Sequence, residues 1–393
     1  VTAGIVVLVL GYVLSQFYRA FLAVLAPALE RDLGAAPGDL ALSSGLWFLA
    51  FAAMQLPVGW ALDRIGPRRT AAWLLGAGGG GGAAMFALAQ GPWGVHAAMM
   101  LIGAGCAPVL MATYYIFARV YPAAVFATLA AAVIGFGTLG NLASSLPLSL
   151  AAEALGWRAA VAALAIITVV AALALGRFVD DPPRAEGARP GEGSLLDLLR
   201  NPAILVILPL LFVNYAPAAG LRGLWVGPYF SDVFGADGNM IGVATLVMGI
   251  AMVAGSFAYG PLDRVLGTRK WVVLGGNLAG GACLLALWAA PQAGPWQAAA
   301  LLAGVGLFGM SFPVIMAHGR SFFPPHLVGR GVTLLNLFGI GGVGVLQLVS
   351  ARVHAGAAAA QGPAAPYEAL FLFFGLLVLA GCAIYLLSRD STG

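Results

Sequence analysis

Two arginines stand where arginine is costly. Arg19 follows Phe17-Tyr18 inside one apolar run, and Arg222 sits in Ala218-Ala-Gly-Leu-Arg-Gly-Leu-Trp225 inside another. A guanidinium in hydrocarbon is strongly unfavourable unless something anionic or polar meets it, so such residues mark function by default. The chain has 15 acidic residues, and none falls at mid-depth in an apolar run. Glu30 comes 11 residues after Arg19, and Asp232 comes 10 after Arg222. At the helical rise, each arginine is then about 15–16 Å from the outer polar edge, half-way through a hydrocarbon layer of roughly 30 Å. A planar fork of donors at that depth suits a carboxylate or phosphate carried by a solute. The competing reading is a strut bonded to backbone carbonyls and polar side chains.

Around these arginines stand groups that can donate to an anion. Tyr18 adjoins Arg19. Tyr215 and Trp225 lie seven residues before and three after Arg222, on about the same helical face. Tyr114, Tyr115, Asn141 and Asn336 fall in other apolar runs and either line a cavity or bond neighbouring helices. The titratable candidate for coupling is His318. With no buried acid, anion exchange or facilitated diffusion is favoured over carboxylate-based proton coupling. A proton or a counter-anion is the expected partner ion.

The elements that position these residues are membrane helices. Hydrophobic residues make up 61% and charged residues only 9%, far from the roughly 25% charge of a soluble domain. The expected fold is all-α and polytopic, with twelve transmembrane helices in two pseudo-symmetric six-helix bundles. The spans fall at about 4–29, 41–62, 71–89, 95–118, 125–150 and 158–176, then 202–231, 239–262, 271–290, 296–318, 330–353 and 367–387. The first bundle covers residues 1–176, a polar linker 177–201, and the second bundle 202–393. With both termini inside, 14 of 19 basic residues fall on the cytoplasmic side and three on the other, leaving Arg19 and Arg222 within spans. That places the chain as a multi-pass protein of a bacterial inner membrane, functional as a monomer, without a cleaved signal peptide.

Several signals are bland. Cys106, Cys283 and Cys382 have no disulfide or metal spacing. Gly78 to Gly82 lacks the residues of a phosphate loop, and close helix packing explains it. Met248 and Met252 are apolar filler. No catalytic constellation, cofactor motif or nucleic-acid surface is present, so no enzyme, cofactor or metal is expected.

The sequence also repeats itself. Gly59-Trp-Ala-Leu-Asp63-Arg64-Ile-Gly66-Pro-Arg68-Arg69 has a near copy in Gly260-Pro-Leu-Asp263-Arg264-Val-Leu-Gly267-Thr-Arg269-Lys270. Pro108-Val-Leu-Met-Ala112 parallels Pro313-Val-Ile-Met-Ala317. Two such halves and this loop resemble the major facilitator superfamily of secondary transporters. The resemblance implies alternating access, with Gly59, Asp63, Arg64, Arg68, Asp263 and Arg264 gating the cytoplasmic side. Gly59 is expected to allow close helix approach, and Asp63 to pair with arginine or cap a helix. Tyr18-Arg-Ala-Phe-Leu-Ala-Val-Leu-Ala-Pro27 and Leu221-Arg222-Gly-Leu-Trp-Val-Gly-Pro228-Tyr229 resemble the organophosphate:phosphate antiporters and related organic-anion carriers. This implies an anion gripped by Arg19 and Arg222. The antiporters' histidine in the fifth span is replaced here by Asn141, which leaves carboxylates and other small anions open beside phosphate esters. The alternatives are an exporter of amphipathic drugs or metabolites and a metal-uptake or receptor-like member of the superfamily.

Overall fold

The computed structural model describes residues 2–121, 123–182, 199–323, 328–358 and 362–391. Every regular element among them is helical. The chain divides into two compact units, Val1–Gly187 and Ala188–Gly393. In the first unit the spans are 2–33, 37–64, 67–87, 92–120, 123–155 and 157–178, here spans 1 to 6. In the second they are 202–234, 238–266, 270–289, 295–320, 328–357 and 365–385, spans 7 to 12. Nine helices among the described residues are individually long and apolar enough to cross a bilayer, and two bent pairs raise this to eleven. Span 3 completes the set. Its middle, Leu74–Gly80, winds as a π-helix between Pro67–Trp73 and Gly81–Ala87 without a gap, and the glycines at 78–82 make this run less apolar than the others.

Local sequence explains where these helices start and bend. Spans 2, 3, 4, 7 and 10 each open at a proline (Pro37, Pro67, Pro92, Pro202, Pro295), where the missing N–H would have had no partner in any case. Span 5 bends by 41° between Ala143 and Leu146. There the Ser144 and Ser145 hydroxyls both donate to the Asn141 carbonyl, at 2.9 and 3.3 Å, competing with the helical ladder. Spans 7 and 10 break at Tyr215 and at Met310-Ser311. The two breaks meet in one buried polar knot: Asn214 Nδ2 donates to Asn277 Oδ1 (2.8 Å) and Ser311 Oγ (2.9 Å), and Asn277 Nδ2 to Ser311 Oγ (3.1 Å).

Helices in lipid are held by close packing more than by the hydrophobic effect, and glycine sets the closest approaches. A Cβ at Gly78 would lie 2.6 Å from Gly105 Cα, and one at Gly105 2.1 Å from the Gly79 nitrogen. One at Gly80 would meet Val169 at 2.5 Å. The five-glycine run therefore seats span 3 against spans 4 and 6. A second contact is written twice: a Cβ at Gly140 would lie 1.9 Å from the Val13 carbonyl, and one at Gly342 2.1 Å from the Phe212 carbonyl. Spans 5 and 11 thus sit backbone-to-backbone on spans 1 and 7, the helices that carry the two arginines. Gly59 behaves otherwise than expected. A Cβ there meets nothing within 4 Å, and the same holds at Gly260, so neither glycine makes the close approach its motif suggested. The tight position in this loop is Gly66.

Candidate functional site

Arg19 lies in the kink of span 1. Thr2–Tyr18 and Leu22–Leu33 meet at 51°, and no glycine or proline stands in Arg19-Ala20-Phe21. Aromatic anchoring holds the bend. The Tyr18 hydroxyl pairs with Thr168 Oγ1 of span 6 at 2.7 Å, and its ring meets Phe17 and Phe21 edge-on at 6.1 and 5.7 Å. Tyr18 is fully buried and braces the kink instead of facing the arginine's open side. The Arg19 guanidinium lies over Trp47 and Phe51 of span 2, 5.4 Å from each ring centroid. Its Nε is buried with no hydrogen-bond partner among the described residues. An aromatic cage holds this cation without consuming its donors.

On the preceding turns of the same helix face, Gln16 and Tyr12 stand three and seven residues before Arg19. Both are buried. Gln16 Nε2 donates to the Tyr12 hydroxyl at 2.6 Å, and Gln16 Oε1 is buried without a partner among the described residues. The three- and seven-residue spacing of this pair from Arg19 is itself a helical signal in the sequence. Tyr114 and Asn141, from spans 4 and 5, are half-buried and hydrogen-bonded or otherwise engaged. Tyr115 takes the Arg119 guanidinium on its ring face at 3.7 Å.

In the second unit, Arg222 sits in a π-turn, Leu221–Trp225, a local irregularity that often marks a functional position in a helix. It is only 2% exposed. Its Nε donates to the Thr245 carbonyl of span 8 at 3.3 Å, and its guanidinium fills the space over Gly249, where a Cβ would lie 3.0 Å from Nη2. Arg222 is therefore held by span 8, whereas Arg19 keeps its donors open. Trp225 is buried, gives its Nε1–H to Ser350 Oγ at 3.0 Å and stacks on His354 at 4.8 Å. Tyr215 is buried beside Phe312, 5.7 Å between centroids. Asn336 is half-buried. His318 is fully buried, with Nδ1 on the Tyr385 hydroxyl at 2.5 Å and Nε2 on the Arg389 carbonyl at 2.9 Å. It ties span 10 to the end of span 12.

The repeated loops are built alike. After span 2, Gly66 adopts φ +107°, and a Cβ there would run into the Asp181 carboxylate at 2.9 Å. Glycine is required on both counts. Asp181 Oδ1 accepts the Arg68 N–H at 2.8 Å, capping the start of span 3 from just beyond span 6. After span 8, Gly267 turns the chain at φ +65°. There Asp390, just beyond span 12, accepts the N–H of Arg269 (3.1 Å) and Lys270 (3.0 Å) and the Thr268 hydroxyl. Asp181 and Asp390 thus cap the starts of spans 3 and 9. Asp263 instead pairs with Arg269 of its own loop at 3.1 Å. The Asp63 side chain lies outside the described residues. Arg64 and Arg264 are exposed, and Arg264 borders a cleft of about 550 Å³ with Tyr259, Asp263, Arg269 and Pro313.

Burial alone would push the Asp390 carboxyl up; the bonds from Thr268, Lys270 and Arg269 outweigh it and hold it below the usual carboxylate value. A carboxyl depressed in the folded state stabilises fully above its unfolded value and loses that contribution as pH falls through the folded one. The wild type should therefore melt above Asp390→Asn at neutral pH, and the gap should close below about pH 4. Thermal unfolding of both proteins across that range checks this; a gap independent of pH would contradict it.

A family model described as Major Facilitator Superfamily matches residues 8–225. No curated protein sequence matches the chain. Among solved structures, that of a D-xylose–proton symporter is similar with a TM-score of 0.81 at 16% identity, over 99% of this chain and 98% of that one. An inward-open structure of the xylose transporter XylE from E. coli gives 0.76 at 16%, over 99% and 96%. A bacterial homologue of the human lysosomal transporter Spinster, inward-facing and occupied, gives 0.73 at 17%, over 98% and 95%.

Proposed function

Since the chain belongs to the major facilitator superfamily, we propose that it moves a small organic or phosphorylated anion, held by Arg19 and Arg222, by alternating access. Family membership makes it a multi-pass secondary transporter and not an enzyme. The observation that carries the anion is Arg19. It is a cation in the kink of a membrane span, caged by Trp47 and Phe51, with a buried Nε that has no described partner. A buried guanidinium nitrogen left unsatisfied is unfavourable without a solute and favourable once a carboxylate or phosphate arrives. Gln16 and Tyr12 continue the polar groups along the same face.

Arg222 joins the clamp by exchanging the Thr245 carbonyl for a solute oxygen, which trades a neutral acceptor for a charged one. The π-turn beneath it supplies the local freedom. The basic-residue asymmetry puts both termini in the cytoplasm and the repeated loops at the cytoplasmic gate. The transporter acts as a monomer in a bacterial inner membrane, with a proton or a counter-anion as partner ion. The D-xylose relative is a proton symporter by name, which makes the proton the first partner to test.

A thermal-shift screen of the purified protein against mono- and dicarboxylates, sugar phosphates and inorganic anions tests the anion. A binding solute raises the Tm by mass action. One of these anions should stabilise the wild type. Stabilisation by neutral or cationic amphiphiles alone would instead support a drug exporter.

A further inference from the structure

His318 has both ring nitrogens bonded; His354 has not. His354 lies near the end of span 11, and its Nε2 is buried with no hydrogen-bond partner among the described residues. Its ring lies flat on Trp225 of span 7, at 4.8 Å and 27°. It meets Tyr367 of span 12 at 5.1 Å and 69°. The Tyr367 hydroxyl in turn bonds Asp232 Oδ2 at the end of span 7. Three helices of the second unit thus converge on one imidazole.

We propose that His354 is a proton-binding site of this transporter, linked through Trp225 to Arg222. Two features of the surroundings favour an imidazolium and work against the cost of burying its charge. An indole face lies beneath the ring, where a cation is attracted by the π-electrons. A carboxylate, Asp232, stands beyond Tyr367. The titratable and charged neighbours are Asp232 and Tyr229 on span 7, Tyr367 and Glu368 on span 12, and the exposed Arg352 on span 11 itself. Tyr215, His318 and Arg320 sit farther along the spans packed against it, away from this end. The step is simple: a hydronium at this end of the unit gives its proton to a ring nitrogen, water is released, and the reverse transfer resets the site. Trp225 closes the π-turn that carries Arg222 and is pinned by Ser350, one helical turn before His354. Charging the ring therefore acts on the segment that positions the arginine. An anion accompanied by this proton would cross with one negative charge fewer.

The site rests on the transporter reading for its role but not for its detection, which needs no solute. A stacked imidazolium quenches indole emission. Acidifying the purified protein from about pH 8.5 to about pH 4.5 should give a reversible one-proton quench, spanning the ordinary histidine range. One indole of nine is involved, so the loss is about a tenth of the total emission. His354→Gln and Trp225→Phe should each remove that transition, and Asp232→Asn should move it to lower pH. His354→Phe, which keeps a flat ring on the indole, should also remove it and guards against a folding defect in the glutamine variant. An unchanged transition in His354→Gln and His354→Phe, or no transition in the wild type, would overturn the proposal. Either result would leave the anion screen untouched.

Discussion

Arg19→Gln is expected to abolish anion-dependent stabilisation and transport while leaving the ligand-free protein as stable as the wild type or slightly more so. The structure explains this combination. Arg19 has no described hydrogen bond to lose; it gives up only its position over Trp47 and Phe51, about 1 kcal/mol or somewhat more in a desolvated setting. Against that, a buried unsatisfied Nε disappears, which relieves about 1–3 kcal/mol. The bound state loses a charge-assisted fork worth about 3 kcal/mol or more, or at least about a hundredfold in affinity. Arg19→Lys keeps the charge but not the planar fork and should fall between. Arg222→Gln should differ. It forfeits the bond to the Thr245 carbonyl and the packing over Gly249, so its ligand-free Tm should fall as well. A marked Tm drop in Arg19→Gln would identify Arg19 as a strut.

The second large effect is expected at Gly140. Any Cβ there would approach the Val13 carbonyl to 1.9 Å, so span 5 must move away from span 1. Overpacking of this kind costs about 1–3 kcal/mol even where the surroundings relax. In a bilayer the lost close contact is not replaced by a hydrophobic gain. Arg19 is six residues along span 1 from Val13, so the displaced helix carries the arginine with it. Gly140→Val should lower the Tm by several degrees and weaken anion stabilisation. Gly135→Ala on the same helix, where a Cβ meets nothing within 4 Å, should do neither. Equal melting of the two variants would contradict the packing account.

What was legible in the sequence was periodic or local. Apolar length located the membrane helices. The five glycines at 78–82 announced a close helix crossing, which the structure makes at Gly105 and Val169. The half-buried motif glycine Gly59 shows the limit, because a glycine in a motif does not say which neighbour approaches it. The kink at Arg19 left no proline or glycine to read; it follows from Tyr18 anchoring on Thr168, 150 residues away. The loop caps were hidden for the same reason. Asp181 and Asp390 look like linker and tail residues until the chain folds them back over separations of 113 and 121 positions. The stack of His354 on Trp225 is likewise a product of tertiary packing. The twelve, sixteen, nineteen spacing of Tyr12, Gln16 and Arg19 was readable as one helical face.

The most direct measurement is charge displacement in proteoliposomes on a solid support, with rapid exchange into each anion of the panel at constant ionic strength. A transporter that takes an anion onto Arg19 should give a transient of negative charge entering the protein for the bound anion, saturating with concentration and absent in Arg19→Gln. Transients that persist unchanged in Arg19→Gln, or arise only with cationic solutes, would contradict the anion assignment.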